Sequence, residues 1–424
     1  MKILVVGNGG REHAICWKLK QDDPSIDLYA APGNAGTAAL GTNVALSAED
    51  VPALVDWAVE NKPDFVVVGP EAPLCAGLVD ELATHGIPAF GPRASGARIE
   101  GSKSFAKEIL RAANVPTALA EVVETAEAAR EVVARYGIPV VLKADGLAAG
   151  KGVIVCTTAE EAEAAIDTLL VKRVFGDTPV LVEQFLDGEE ASMLAFVDGA
   201  NVVPMVSAQD HKRLCNDDKG PNTGGMGAYS PAPVMTKEME TIVAERVFAP
   251  VVAELASRGI DYKGVLYAGL MLTKDGPKVL EFNCRFGDPE TQCILPRLAS
   301  PLLPILQACA TGSLTPDLVR WSADPCVCVV MVSGGYPGVY EKGKAISGLA
   351  EAGAKEGVVV FHAGTKLKDD TVVTSGGRVL GVTAIGPDVA EAVRRAYHAV
   401  IHIQFEGVHY RTDIAYRALK RLGK

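Results

Sequence analysis

Glu281-Phe282-Asn283 closes an apolar run, and in an extended chain the carboxylate at i and the amide at i+2 point to one side. That pair of oxygen donors suits Mg²⁺, which keeps water and nucleotide phosphates as its other ligands. An ordinary strand end yields the same pattern. Arg285 shares the face if the strand continues, and Asp288 and Glu290 follow after Gly287. Upstream, residues 143–153 read KADGLAAGKGV, a glycine/alanine loop bracketed by lysines between two apolar runs. Small residues let backbone close over a polyphosphate and an inward lysine neutralises it, although the spacing is not that of a P-loop. A plain hairpin is the alternative. Glu183-Gln184-Phe185-Leu186, followed by Asp187, Glu189 and Glu190, ends a strand beside carboxylates that suit a base pocket and ribose hydroxyls, or else water.

Gly7-Asn8-Gly9-Gly10-Arg11-Glu12-His13 follows a short apolar run and opens a helix. Backbone N–H groups at such a turn favour an anion such as a phosphate, although a tight turn alone gives the same pattern. Glu12 stands where the dinucleotide fingerprint needs a third small residue, so a dehydrogenase reading fails. The seven histidines form no metal cluster: His211 lies in a polar stretch, and His398 and His402 read as structural. No Ser or Cys sits in a nucleophile elbow.

These groups need a scaffold of some size. The 424 residues suggest several domains, and 48% hydrophobic against 22% charged residues allows buried cores. A net charge of −11 argues against a dedicated nucleic-acid binder. Nine cysteines without a C-x-x-C pair read as small buried hydrophobes of a reducing compartment. With a first apolar run too short for a signal peptide and no 18-residue apolar stretch, a cytoplasmic protein without membrane partners is expected.

Ile3–Val6, Asp27–Ala31, Phe65–Val68 and Pro88–Phe90 read as strands, alternating with helices at Arg11–Lys20 and Val51–Glu60. That alternation predicts a doubly wound parallel sheet. Helices at Ser104–Ala113 and Ala126–Tyr136 then flank an antiparallel pair, Val140–Lys143 and Gly152–Val155, with Val180–Phe185 and Ala191–Val197 expected as another pair. Gln209–Tyr229 reads as a long polar loop, such as usually serves function. A helix near Lys237–Arg258 precedes a hairpin of Val265–Leu272 and Lys278–Phe282. The last unit runs from Cys326–Ser333 to helices at Val389–Val400 and near Arg411–Leu422.

Taken in order, VVGNGGREHA (5–14), GPEAPL (69–74), KADGLAAGKGV (143–153), DHKR (210–213), GPNTGGMGAYSPAP (220–233) and EFNCRFGDPETQ (281–292) resemble the ATP-grasp superfamily and, over essentially the whole chain, its glycinamide ribonucleotide synthetase family. The resemblance implies an α/β protein with three parts. These are an N-terminal doubly wound parallel-sheet domain (1–102), a central ATP-grasp α+β domain (103–324, lid about 118–190) and a small C-terminal α+β domain (325–424).

It further implies ATP as substrate with Mg²⁺ or Mn²⁺, and glycine and 5-phosphoribosylamine as small-molecule partners of a monomer. Carried over by position, Lys103 and Lys143 contact ATP phosphates, Glu183, Phe185 and Leu186 frame adenine, and Glu190 holds ribose. Glu281 and Asn283 bind metal, and Lys143 and Arg285 are catalytic. Gly9, Gly10, Glu71, Asp210 and Arg285 bind the other substrates. Two features depart from the superfamily pattern: Gly264–Leu272 carries no second metal carboxylate, and Cys215-Asn216-Asp217-Asp218 replaces the usual D-G-D. Rival readings are a ligase for a different carboxylate and a non-catalytic nucleotide sensor. A paired Glu281 and Asn283 speaks against the sensor, which needs no phosphoryl-transfer metal.

Overall fold

The computed structural model describes residues 1–147 and 152–424, so the centre of the glycine/alanine loop, residues 148–151 with Lys151, lies outside the described residues. The four expected N-terminal strands, with Thr42–Asn43 added at one edge, form a five-stranded parallel sheet in the order Thr42–Asn43, Asp27–Pro32, Lys2–Gly7, Phe65–Val68, Ala89–Phe90. Ile3 to Val6 and Phe65 to Val68 are buried on both faces, which is why they read as unbroken apolar runs. Strand order reverses at Lys2–Gly7, opening a crevice beyond the carboxyl ends. Helix Gly10–Asp22 starts there.

Two antiparallel sheets follow. One orders Ala120–Val123, Val180–Gln184, Val140–Ala144 and Val153–Cys156; the other orders Val202–Pro204, Glu189–Asp198, Lys263–Thr273 and Gly276–Asn283. The expected pairing of Val180–Phe185 with Ala191–Val197 is therefore incorrect, since the two runs belong to different sheets. Residues 185–188 cross between the sheets rather than forming a hairpin. Gly188 passes so close to the neighbouring strand that a Cβ would lie 2.4 Å from the Leu272 carbonyl oxygen. The expected helix near Lys237–Arg258 is present as Lys237–Val243 and Ala249–Ser257 joined by a π turn, Ala244–Phe248. Pro250 lies in the first turn after it and lacks the N–H that regular α geometry would use.

Gln209–Tyr229 is not a free loop. Gln209–Asp210 and Gly227–Ser230 pair with each other, and the latter pairs with Cys326–Val332. Arg378–Ile385 and Val358–His362 complete this five-stranded antiparallel sheet, covered by helix Val389–Val400. Its polar glycines hid the short strands because too few residues alternate for a period to show. The C-terminal sheet is thus built from both sides of residue 325.

Asn34 ties the N-terminal crevice to this last unit. Its Oδ1 accepts the N–H groups of Gly36 at 2.8 Å and Thr37 at 3.0 Å, and its amide donates to the carbonyls of Asn8 at 3.0 Å and His362 at 2.9 Å. The His362 N–H donates to His13 Nδ1 at 2.7 Å. Burial lowers the His13 pKa to about 3, with His362 adding to the shift, so the ring stays a neutral acceptor. Replacing Asn34 by alanine should lower the unfolding free energy by about 2–3 kcal/mol, read by urea denaturation, because a helix cap is lost and buried groups are orphaned. A loss below about 0.5 kcal/mol would mean that water serves these groups equally well.

Candidate active site

A cavity of about 450 Å³ lies between the two antiparallel sheets and extends to the crevice of the parallel sheet. Lys103, Lys143, Glu183, Phe185, Leu186 and Glu190 line it, as do Glu281, Asn283, Arg285, Glu71 and Asp210. Gly9 and Gly10 do not, although Arg11 beside them does.

At one end stand the lysines. Glu183, almost fully buried, receives Lys143 Nζ at 2.8 Å on one oxygen and Lys107 Nζ at 3.2 Å on the other. Lys143 extends from strand Val140–Ala144 and also reaches the Leu280 carbonyl at 3.3 Å. Lys103 opens helix Lys103–Ala112, capped by Ser102, and its Nζ donates to the Gly146 carbonyl at 2.7 Å. Burial lowers the pKa of Lys103 and brings Lys107 to about 8, Glu183 opposing the second shift. A phosphate arriving here would restore what burial removes. Glu190 is paired with Lys212 at 2.6 Å, and chiefly this lysine lowers its pKa. Lys107 belongs to none of the motifs and Lys212 enters only as part of DHKR; the i, i+4 spacing of Lys103 and Lys107 is the available signal for the former.

Glu281 and Asn283 lie on strand Gly276–Asn283 and face the cavity together. Opposite Glu281 is Gly269, where a Cβ would stand 3.2 Å from Glu281 Cγ. The facing strand therefore gives room rather than a second carboxylate. Its Tyr267 donates to Glu290 Oε1 at 2.7 Å, with Ser192 at 2.8 Å from the tyrosine oxygen. Among the described residues, no three His, Cys, Asp or Glu side chains enclose a metal site. The donors that are present fit a hard cation completed by phosphates and water. The Glu281 charge also acts on Lys103 and Lys212.

The strand stops at Asn283, yet Arg285 still faces the cavity. Its guanidinium is held by Glu71 at 3.1 Å and Glu100 at 2.8 Å, and Arg11 approaches Glu71 at 3.5 Å. Burial alone would weaken the Arg285 charge, but Glu100 and Glu71 outweigh it and raise the pKa. For Glu71 burial acts upward, and Arg285 and Arg11 overcome it, leaving about 2. Burial raises Glu100 against the pull of Arg285. Asp210 is pushed up to about 7, chiefly by burial, with Lys212 opposing and Glu290 and Glu190 adding.

The turn at Gly7–His13 differs from the expected open phosphate cradle. The Gly9 N–H donates to Glu12 at 2.6 Å and the Arg11 N–H to Asp288 at 3.1 Å. Glu12 folds back between the strand ends, within 2.2 Å of where a Cβ on Gly69 would be. A carboxylate already sits where the helix terminus would attract an anion. From the C-terminal sheet, Arg378 reaches the Asp288 carbonyl at 2.8 Å and joins the cavity wall.

The chain matches the phosphoribosylglycinamide synthetase family over three stretches: its N domain at residues 1–100, its ATP-grasp (A) domain at 101–291 and its C domain at 326–417. It is 51% identical over 426 residues to a phosphoribosylamine–glycine ligase of Pseudomonas aeruginosa, covering 99% of each chain. A solved phosphoribosylamine–glycine ligase of Thermotoga maritima superposes with a TM-score of 0.84 at 35% identity, over 97% of this chain and 100% of that one. Biotin carboxylase of Campylobacter jejuni shares the fold alone, with a TM-score of 0.72 at 16% identity, over 96% and 92% of the two chains.

Because the depressed Glu71 pKa stabilises the folded state above its ordinary value near 4.5, that contribution should vanish as pH falls toward 2. Glu71→Gln should cost up to about 3 kcal/mol at pH 7 and flatten the stability profile in that window, measured by denaturant titration at each pH. An unchanged acid slope would show that the two arginines do not hold Glu71 in solution.

Proposed function

The chain belongs to the phosphoribosylglycinamide synthetase family, and from that premise we propose which residues carry out each part of the reaction. The activity is that of an ATP-grasp phosphoribosylamine–glycine ligase, forming glycinamide ribonucleotide in purine biosynthesis with ATP consumed. The observation that carries the residue assignment is the convergence of Lys103, Lys143, Glu281, Asn283 and Arg285 on one cavity.

Lys103 and Lys143 neutralise the ATP phosphates, Glu183, Phe185 and Leu186 hold adenine, and Glu190 takes the ribose hydroxyls. Glu281 and Asn283 would hold Mg²⁺ or Mn²⁺, which when bound draws charge from the transferring phosphoryl group. A carboxylate is a poor electrophile, so a glycine oxygen first attacks the γ-phosphorus. The bond from that phosphorus to the bridging oxygen breaks, ADP leaves and glycyl phosphate forms. Arg285, held still by Glu71 and Glu100, steadies charge on this phosphoryl group and on glycine.

The ribosylamine nitrogen then attacks the acyl carbon and phosphate departs with one former glycine oxygen. Asp210, with a pKa near 7, accepts the proton from nitrogen. The ribosylamine enters beside Gly9 and Gly10, with the Arg11 side chain supplying charge because the Gly9 and Arg11 N–H groups are engaged. Domain limits near residues 102 and 324 follow this division of labour in chain order, with strands Gln209–Asp210 and Gly227–Ser230 crossing to the C-terminal sheet. Nine free cysteines support a reducing, cytoplasmic setting.

With glycine carrying ¹⁸O at both carboxylate oxygens, one label per turnover should appear in inorganic phosphate, and ADP should be the nucleotide product. AMP, or phosphate without label, would overturn the γ-phosphoryl route.

A further inference from the structure

Asp210 and Lys212 face the cavity, and His211 between them faces the opposite way into the protein. The histidine is fully buried, and its Nε2 accepts the Ala415 N–H at 3.0 Å. An Nε2 that accepts carries no proton, so the neutral ring holds its proton on Nδ1, 3.8 Å from Asp218 Oδ1. Nδ1 has no hydrogen-bond partner among the described residues. Burial favours this neutral form.

Asp218 is the centre of a second set of ties. Arg411, fully buried, donates to it at 2.8 Å and to the Arg213 carbonyl at 3.1 Å, while Tyr416 donates at 2.6 Å and Arg417 also donates to it. Asn216 and Thr412 exchange hydrogen bonds at 2.6 and 3.0 Å, and the Asp217 N–H donates to Asp413 at 2.9 Å. Asp217, Asp218 and Ala415 all adopt positive φ, at 58°, 52° and 68°. Non-glycine residues stay there only when their surroundings over-determine them. Segment 411–417 thus clasps segment 211–218, which runs on to the cavity-lining Asn222, Thr223 and Gly224.

We propose that the C-terminal segment 411–417 is a positioning element for catalysis, acting through His211 and Asp218 to set where Asp210 and Lys212 stand in the cavity wall. None of its residues touches the cavity, Lys103, Lys143 and Glu183–Leu186 lie outside the clasp, and of the nucleotide-side residues Glu190 alone is paired with a clasped side chain, Lys212. Its loss should therefore reduce turnover more than nucleotide binding. The inference rests on Asp210 and Lys212 belonging to the working site.

The test compares His211→Leu and His211→Gln in the full chain, measuring kcat per ATP-binding equivalent (from calorimetry) and the KM for ATP. Leucine cannot accept the Ala415 N–H, whereas the glutamine amide oxygen can. His211→Leu should lower kcat by roughly tenfold or more, as expected for a misplaced active-site wall, with the KM for ATP changed less than about threefold. His211→Gln should recover most of the loss. A wild-type kcat in His211→Leu, or a drop accounted for wholly by fewer ATP-binding equivalents, overturns the proposal. So does glutamine behaving no better than leucine. If His211→Leu does not fold, Arg417→Leu, which removes the donors to Asp218 and to the Tyr416 hydroxyl, must give the same split. Asp210→Asn serves as control: full activity there would refute the role of Asp210 itself, whereas inactivity there with wild-type His211→Leu refutes the clasp alone.

Discussion

A guanidinium taken out of water must be paired, and Arg285 finds its two carboxylates on separate elements. Glu71 begins helix Glu71–Cys75, just past the carboxyl end of strand Phe65–Val68, and Glu100 lies near the end of helix Ala94–Gly101. Removing one partner of such a buried pair typically costs about 3–5 kcal/mol, because the remaining charge is stranded. The N-terminal sheet, the connecting helices and strand Gly276–Asn283 must therefore dock in one arrangement. That arrangement aligns Arg285 with Asn283 and Glu281 on one side and with Arg11 on the other. The Glu100 carboxylate also accepts the Cys284 N–H at 2.7 Å, fixing the chain where the strand ends.

Around this pairing, each end of the cavity offers charge of the sign its ligand lacks. Lys103, Lys107 and Lys143 gather where phosphates are expected, and two of them share the one buried carboxylate of Glu183. Glu281, Asn283 and Glu290 provide oxygen where a cation or ammonium group would sit. Catalysis by positioning and electrostatics needs little movement from groups so firmly paired.

Much of this was legible in the sequence. The parallel sheet announced itself through runs such as Ile3–Val6, which are apolar because both faces are covered. The Glu281–Asn283 pair followed from the two-residue period of a strand, and both do face the cavity. What escaped reading depends on residues far apart in the chain. Asp218 meets Arg411 across 193 positions, and no local periodicity encodes that contact. Tyr267 and Glu290 each look ordinary alone. In the sequence Glu12 stands out only as a break in a fingerprint, yet it satisfies Gly9 and fills the gap between Gly7 and Gly69. The short strands at Gln209–Asp210 and Gly227–Ser230 owe their conformation to a sheet completed more than a hundred residues later.

The pinning of Arg285 by Glu100 is the claim on which the remainder stands, and a double-mutant cycle on kcat tests it most directly. If Glu100 acts by holding Arg285, Glu100→Gln should lower kcat roughly tenfold in the wild-type background but less than about twofold when Arg285 is already lysine. Losses that simply multiply in the double variant would contradict it, because the two side chains would then be acting independently.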